Sequence, residues 1–174
     1  MGGTIALLFS QRYPEQISCA VYSAPALILR RHISVRQRAL ATAMSRISPT
    51  YTSKGKIDPT VLTHDLAMQE EVRVDQLRHA QVSARLYTEM FVRGPRDVLA
   101  HLDRLRAPFL ILHGLEDPLV SPVGSQRVYD GASIPARAIR VYPGLLHEVF
   151  REVERDQVFA DVAGWLEGRG ALAG

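Results

Sequence analysis

The feature that most constrains the fold is an alternation of apolar strand and amphipathic helix over residues 108–166. Short apolar strands are predicted at 108–112 and 138–142, with one helix between them at 121–129 and a longer one after them at 149–166. Parallel strands need a long crossover connection, which a helix usually supplies. Alternating strands and helices therefore predict an α/β fold with a parallel sheet and helices on its faces.

The N-terminal residues carry the same signature. Dense apolar residues predict a buried helix over 4–12, and a short apolar run predicts a buried strand over 17–22. This strand is the third of the predicted sheet. The motif Ser23-Ala24-Pro25 ends it.

Residues 26–106 are more polar, rich in arginine and helical in pattern. Helices are predicted over 35–47, 81–92 and 95–105, and Asp58-Pro59 is typical of a further helix start. No segment here alternates like a strand. The sequence therefore predicts three parts, which are α/β core at 1–25, a helical insertion at 26–106 and α/β core again at 107–174.

Composition excludes several classes of protein. The chain has 174 residues, of which 47% are apolar and 22% charged, with a net charge of +3, as expected for one globular domain. Acidic residues are interleaved with the basic ones, so no nucleic-acid interface is predicted.

No apolar run approaches the roughly 20 residues of a membrane span, and the first residues lack the cationic start of a signal peptide. Cys19 is the single cysteine, which favours a reducing, cytoplasmic location.

Two predicted strand ends carry residues that could do chemistry. Asp117 follows the first strand through His113-Gly114, and His147 follows the second through Pro143-Gly144. The carboxyl ends of parallel strands meet at one edge of a sheet, where sites are usually found. A hydroxyl nucleophile needs a base within hydrogen-bond reach, and the base needs a third group that fixes its tautomer. Asp117 and His147 are therefore the candidate catalytic residues.

Simpler interpretations exist for each histidine and for Asp117. Asp117-Pro118 could merely begin a turn, and a loop histidine is often a surface residue. The strand-end position of both favours catalysis instead. His113 is expected to be structural, with its imidazole hydrogen-bonded near the strand end. The remaining histidines have no spacing typical of metal ligands, so no metal site is predicted; they are His32, His64, His79 and His101.

Taken together, these motifs resemble a known family. The pattern His113-Gly114-x-x-Asp117-x-x-Val120, followed by Gly144-x-x-His147-Glu148, resembles the C-terminal half of a serine α/β-hydrolase. It is most similar to the monoacylglycerol lipase and lysophospholipase group, which is also placed with the serine aminopeptidase S33 family. The elbow pattern of that group is Gly-His-Ser-Met-Gly-Gly, and Met1-Gly2-Gly3 matches the part after its serine. The helical insertion stands where this group has a cap, or lid.

The resemblance implies a carboxylic ester hydrolase that acts on a monoacyl lipid without a cofactor. His147 would be the base, Asp117 would orient it, and the backbone N–H of Met1 would be one oxyanion donor. The printed sequence contains no Gly-x-Ser-x-Gly. We therefore expect a chain truncated directly after the nucleophile, which lacks activity by itself.

Other functions remain open at this stage. The chain could be a non-catalytic fragment, pseudoenzyme or binding module, or a cap-bearing relative that cleaves another bond, such as a peptidase or dehalogenase. The sequence leaves acyl length, head group and oligomeric state open.

The arginines at the start of the insertion have two interpretations. With neighbouring apolar residues they could form a basic surface for anionic lipid, or they could be the solvated face of a lid helix, which is the more economical explanation. The residues concerned are Arg30, Arg31, Arg36, Arg38 and Arg46 with Ile28, Leu29, Ile33 and Leu40. A peripheral membrane contact through the cap thus stays an alternative.

Overall fold

The computed structural model describes residues 1–31, 33–55, 57–78 and 80–168. The strands are β1 (Ala20–Ser23), β2 (Thr52–Lys54), β3 (Gln81–Ser83), β4 (Phe109–Gly114) and β5 (Arg137–Tyr142). The helices are α1 (Gly2–Arg12), α2 (Val35–Ile47), α3 (Leu66–Val74), α4 (Ala84–Thr88), α5 (Gly94–Ala100), α6 (Pro122–Gly131) and α7 (Arg155–Glu167). Single 3₁₀ turns lie at Pro14–Gln16, Pro59–Val61, Leu102–Arg104 and Val149–Arg151, and Glu89–Arg93 forms a π-helical turn.

The central sheet is parallel and has the strand order β1-β4-β5. Ser23 pairs with Leu112, and Gly114 pairs with Tyr142, so the strands end close together at one edge. All six residues of β4 are buried because this strand has a neighbour on each side. The predicted parallel α/β sheet of three strands is confirmed.

The side chains of β4 alternate between two apolar cores, as the two-residue period of a strand requires. Phe109 and Ile111 pack with α1, α5 and α6 on one face, whereas Leu110 and Leu112 pack with α7 on the other. Truncation of such a fully buried side chain to alanine costs about 2–5 kcal/mol. The strand therefore holds both helical layers in place and fixes where its C-terminal loop emerges.

The last helix is shorter than predicted. Instead of one helix over 149–166, the chain makes a 3₁₀ turn at Val149–Arg151 and begins α7 at Arg155. The break has a local cause, since Glu152 has an extended backbone with φ −75° and ψ 166°. Its side chain is fully buried rather than part of a helix surface.

The insertion between β1 and β4 agrees only in part with the prediction. Helix α2 has the predicted bounds and begins at a capping box, in which Gln37 N donates to Ser34 Oγ and Ser34 N donates to Gln37 Oε1. Asp58 caps only one 3₁₀ turn, in which Thr60 N donates to its carboxylate.

The prediction of no strand in the insertion is wrong. Strand β3 occupies the start of the predicted 81–92 helix and pairs with β2 in an antiparallel ribbon, with Thr52 opposite Ser83. Both strands have three residues, and β2 is exposed throughout, so no buried face imposes an alternating pattern. Helix α3 was not predicted. Within the described ranges, no helix combines the length and apolarity needed to cross a bilayer.

Candidate active site

Asp117 lies in the turn that follows β4, and its side chain is fully buried. Its Oδ1 accepts hydrogen bonds from the backbone N–H groups of Leu119, at 2.8 Å, and Val120, at 3.0 Å. This is the turn that Asp-Pro was expected to make, because an aspartate can bond the backbone two residues on. The turn fixes the carboxylate and leaves Oδ2 directed at two histidines.

His147 lies in the loop that follows β5, and its Nδ1 is 2.7 Å from Asp117 Oδ2. A carboxylate only accepts hydrogen bonds, so Nδ1 carries the proton and Nε2 of the neutral ring has the lone pair. The side chain of His147 is 18% exposed, whereas that of Asp117 is closed to solvent. Within the described part of the chain, Nε2 has no hydrogen-bond partner, so it can accept a proton from a third group.

The loops after β4 and β5 meet at Gly114. A methyl group on Gly114 would overlap the carbonyl oxygens of Leu145 and Leu146, the two residues before His147. Glu116 N donates to Leu145 O at 3.1 Å across the same contact. A glycine is needed here because the backbone of the His147 loop passes directly over its Cα.

His113 is the second histidine on Asp117. It is fully buried, and its Nε2 lies 3.2 Å from both Asp117 Oδ2 and Val120 O. Both oxygens accept, so Nε2 carries the proton and Nδ1 accepts from the Ser125 hydroxyl at 2.7 Å. The expected structural role of His113 agrees with this geometry. Its direct contact with the carboxylate of Asp117 was not predicted.

The electrostatics of the site favour an ionised Asp117. Burial by itself raises the pKa of this carboxyl, but hydrogen bonds from His113 and His147 and from the backbone of Val120 outweigh that effect. The pKa is therefore held well below its usual range. An ionised Asp117 can accept from both histidines and can stabilise a positive charge on His147.

Arg30 supports the Asp117 turn from outside the sheet. Its Nε donates to Asp117 O and its terminal nitrogen donates to Leu115 O, both at 2.8 Å. Arg30 is one of the arginines considered above as a basic surface for anionic lipid, but its guanidinium is bonded to this turn instead. A bridge between Leu29 and Val120 joins the same two segments.

Met1 lies at the same edge of the sheet as the histidine–aspartate pair. A Cβ on Gly3 would stand 3.0 Å from Ser23 O and Pro25 Cα, so the start of α1 rests against the end of β1. Met1 itself is half exposed and lines a cavity of about 640 Å³ between α1 and the insertion. The apolar side chains in this cavity include Ile5, Leu8, Leu86 and Met90.

A metal centre has no support among the described side chains. No group of three or more His, Cys, Asp or Glu residues in the described ranges is arranged to hold a metal ion. Of the other histidines, His64 and His101 lie in the insertion, apart from the Asp117 pair. His32 and His79 fall outside the described residues.

Comparison with known proteins agrees with the resemblance seen in the sequence. The family described as serine aminopeptidase, S33, matches residues 1–154. The chain is 29% identical over 167 residues to a monoacylglycerol lipase of Mycolicibacterium smegmatis, covering 95% of this chain and 59% of that lipase. It is 26% identical over 161 residues to phospholipase YtpA of Bacillus subtilis, covering 91% of this chain and 62% of that protein.

A solved structure extends the comparison to the fold. The crystal structure of a monoacylglycerol lipase from Paleococcus ferrophilus matches with a TM-score of 0.88 and 25% identity, covering 94% of this chain and 64% of that one. The chain thus spans less than two thirds of the length of each of these relatives.

Proposed function

The chain belongs to the serine aminopeptidase S33 family of α/β-hydrolases, and from this premise we propose that Asp117 and His147 are the acid and base of a serine ester hydrolase. The substrate that we propose is a monoacyl lipid, either a monoacylglycerol or a lysophospholipid. One observation carries the proposal: the 2.7 Å contact between His147 Nδ1 and the buried Asp117 Oδ2 leaves Nε2 available at the sheet edge.

The proposed reaction follows from that geometry. A serine hydroxyl placed at Nε2 gives its proton to His147 as its oxygen attacks the acyl carbon. His147 then passes the proton to the departing alcohol, which leaves an acyl-serine ester. His147 next takes a proton from water as the water oxygen attacks the acyl-serine, and it then returns that proton to the departing serine oxygen, which releases the fatty acid and restores the serine hydroxyl. Asp117 holds the proton on Nδ1 throughout and stabilises the transient imidazolium.

The nucleophile in this proposal is not one of the printed residues. The family elbow Gly-His-Ser-Met-Gly-Gly aligns with this chain at Met1-Gly2-Gly3, so the serine corresponds to a position directly before Met1. The packing of Gly3 against the end of β1 supports this alignment, because an elbow turn approaches the neighbouring strand closely. Joined to that serine, Met1 would offer its backbone N–H to the oxyanion.

The substrate class rests on the relatives and on the cavity beside Met1. Two relatives are named as a monoacylglycerol lipase and a phospholipase. The cavity of about 640 Å³ is large enough for an acyl chain, and its apolar residues come from both α1 and the cap. We assign residues 26–106 to the cap and 1–25 with 107–174 to the core as part of this proposal.

We also propose that helix α2 contacts an anionic membrane surface in a cytoplasmic protein. Leu40 and Ile47 are 65% and 80% exposed, and their seven-residue spacing places them on one face of α2. Arg36 and Arg46 are exposed on the same helix. Binding to phosphatidylglycerol vesicles that is weakened by Leu40→Asp would support this contact, and equal binding to phosphatidylcholine vesicles would contradict a role for charge.

The main test is hydrolysis by the protein expressed from its full reading frame. We expect cleavage of monoacylglycerols or lysophospholipids, loss of at least about 10³-fold in kcat for His147→Gln and Asp117→Asn, and no loss for the exposed matched control Asp103→Asn. A panel of aminoacyl anilides separates an ester hydrolase from a peptidase. Hydrolysis that survives His147→Gln would contradict the proposal.

A covalent probe tests the nucleophile separately. A fluorophosphonate should label the full-reading-frame protein at the serine before Met1 and should leave the 174-residue chain unlabelled. Stoichiometric labelling of the 174-residue chain would place the nucleophile elsewhere and would contradict the alignment at Met1-Gly2-Gly3.

A further inference from the structure

A single buried carboxyl group, that of Glu152, joins the insertion to the loop that carries His147. Glu152 is fully buried. Its Oε1 accepts a hydrogen bond from the backbone N–H of Leu146, and its Oε2 accepts one from the backbone N–H of His64, each at 2.8 Å. Leu146 directly precedes His147, and His64 belongs to the insertion. The two oxygens thus connect segments that lie more than 80 residues apart.

Side chains of the insertion complete the hydrogen bonding of Glu152. His64 Nδ1 lies 3.2 Å from Oε1, and Thr63 Oγ1 lies 3.2 Å from Oε2. The Thr63 hydroxyl also lies 2.7 Å from Arg151 O. A buried carboxyl group is costly unless hydrogen bonds compensate it. Three N–H donors, two of them from His64 in the insertion, supply this compensation, and the Thr63 hydroxyl shares its single proton between Arg151 O and Oε2.

The other side of His147 is tied to the insertion as well. Glu148 N donates to Leu62 O at 2.9 Å, and Arg155 Nη1 donates to Asp65 Oδ2 at 2.7 Å. The residues before and after His147 therefore both bond to 62–65, one through Glu152 and one directly. His147 stands between two anchor points on the insertion.

We propose that Glu152 is a positioning residue for His147, which couples the placement of the cap segment 62–65 to the hydrogen bond between His147 and Asp117. The carboxyl group need not touch substrate. It acts through Leu146 N, whose position sets the loop and hence the direction of the imidazole. The inference rests on the proposed function only for the catalytic role of His147, since the coupling itself is a property of the folded chain.

The test reads the His147–Asp117 bond directly in the 174-residue protein. A proton on Nδ1 in a short bond to a carboxylate gives a far-downfield ¹H NMR signal, and its loss in His147→Gln assigns it. We expect Glu152→Gln to abolish the signal or shift it upfield, because the amide must turn an NH₂ group toward a backbone donor. The matched control Glu154→Gln, at an exposed position two residues on, should leave it unchanged.

A second control separates positioning from general loss of stability. Val128→Ala removes buried volume in α6, away from the His147 loop, so it should lower the melting temperature and keep the signal. If Glu152→Gln does not fold, Thr63→Val removes one donor at the insertion end and should shift the signal in the same direction. An unchanged signal in folded Glu152→Gln overturns the proposal. If that variant does not fold, an unchanged signal in Thr63→Val overturns it. A wild-type spectrum without the signal overturns it as well.

Hydrolysis distinguishes failure of this inference from failure of the proposed function. In the full-reading-frame protein, Glu152→Gln should lower kcat about 10- to 100-fold with little change in KM, as expected when a catalytic group is displaced. Loss of the signal in Glu152→Gln supports the coupling even if the wild-type protein hydrolyses nothing. That absence of hydrolysis would contradict only the esterase assignment. Full kcat in Glu152→Gln together with an unchanged signal would overturn the coupling and leave that assignment intact.

Discussion

His113 Nε2 lies 3.2 Å from Asp117 Oδ2, the same oxygen that accepts the hydrogen bond from His147. The two histidines differ in their surroundings, because His113 is closed to solvent and His147 is partly exposed. Ser125 fixes the ring of His113 from the other side. The carboxylate is thus oriented by the core of the protein, independently of the histidine that would do the chemistry.

Replacement of His113 should therefore weaken both the fold and the site. We expect His113→Phe to lower the free energy of unfolding by about 1–3 kcal/mol, because Ser125 and Asp117 each lose a buried partner. It should also raise the pKa of Asp117 and weaken the downfield His147 signal. Denaturant unfolding and NMR measure these effects. Ser125→Ala is the control, since it removes the outer hydrogen bond and keeps the contact with Asp117.

The lowered pKa of Asp117 predicts a specific loss of stability in acid. Because this pKa is lower in the folded than in the unfolded protein, the stabilisation is fully present above the unfolded value, about 3.9, and is lost as pH falls toward the folded value. The difference in unfolding free energy between wild type and Asp117→Asn should thus narrow below about pH 4. Denaturant titrations from about pH 5 down to pH 2 measure it. A difference that stays constant over this range would contradict the assigned direction.

Gly114 offers a test of how tightly the two loops meet. Gly114→Ala should destabilise the protein by about 1–3 kcal/mol, because the added methyl group overlaps two carbonyl oxygens of the His147 loop. The matched control is Gly164→Ala in α7, where a Cβ meets nothing within 4 Å. Alanine favours a helix interior, so this control should stabilise the protein by up to about 1 kcal/mol. Thermal unfolding should show a lower melting temperature for Gly114→Ala and a higher one for Gly164→Ala.

The cavity beside Met1 predicts an effect on chain-length preference. Met90→Trp should fill part of this space and reduce kcat/KM for long acyl chains more than for short ones. Esters of increasing acyl length, assayed with the full-reading-frame protein, measure the profile. A uniform decrease across all lengths would show that the acyl chain lies elsewhere. Leu77→Trp is the control, because Leu77 is 92% exposed.

The central sheet and the Asp117–His147 pair could be predicted because their signals are local. An apolar run followed by turn residues marks the end of a strand, and the parallel arrangement then brings the two strand ends together. The ribbon of β2 and β3 could not be found in this way. Its strands are three residues long, and Thr52 pairs with a residue 31 positions away.

Arg30 and Glu152 show why the supporting contacts were missed. Arg30 follows the apolar run Leu27-Ile28-Leu29 and Glu152 lies in a charged stretch, but in both settings a charged residue normally indicates a solvated surface. Their actual partners are Asp117 O for Arg30 and the backbone of His64 and Leu146 for Glu152. Contacts between segments this far apart depend on the completed fold and leave no periodic signal in the sequence.

The hydrogen bonds around Glu152 also restrict how the insertion can move. To swing away as one rigid lid, it would have to break the bonds of Glu152 to 63–64 and the bond from Glu148 N to Leu62 O. If the rest of the insertion moves without breaking these bonds, residues 62–65 stay in place and act as a hinge. Any gate for substrate is then confined to the part of the insertion formed by α2, the β2–β3 ribbon and α4, and its opening need not disturb His147.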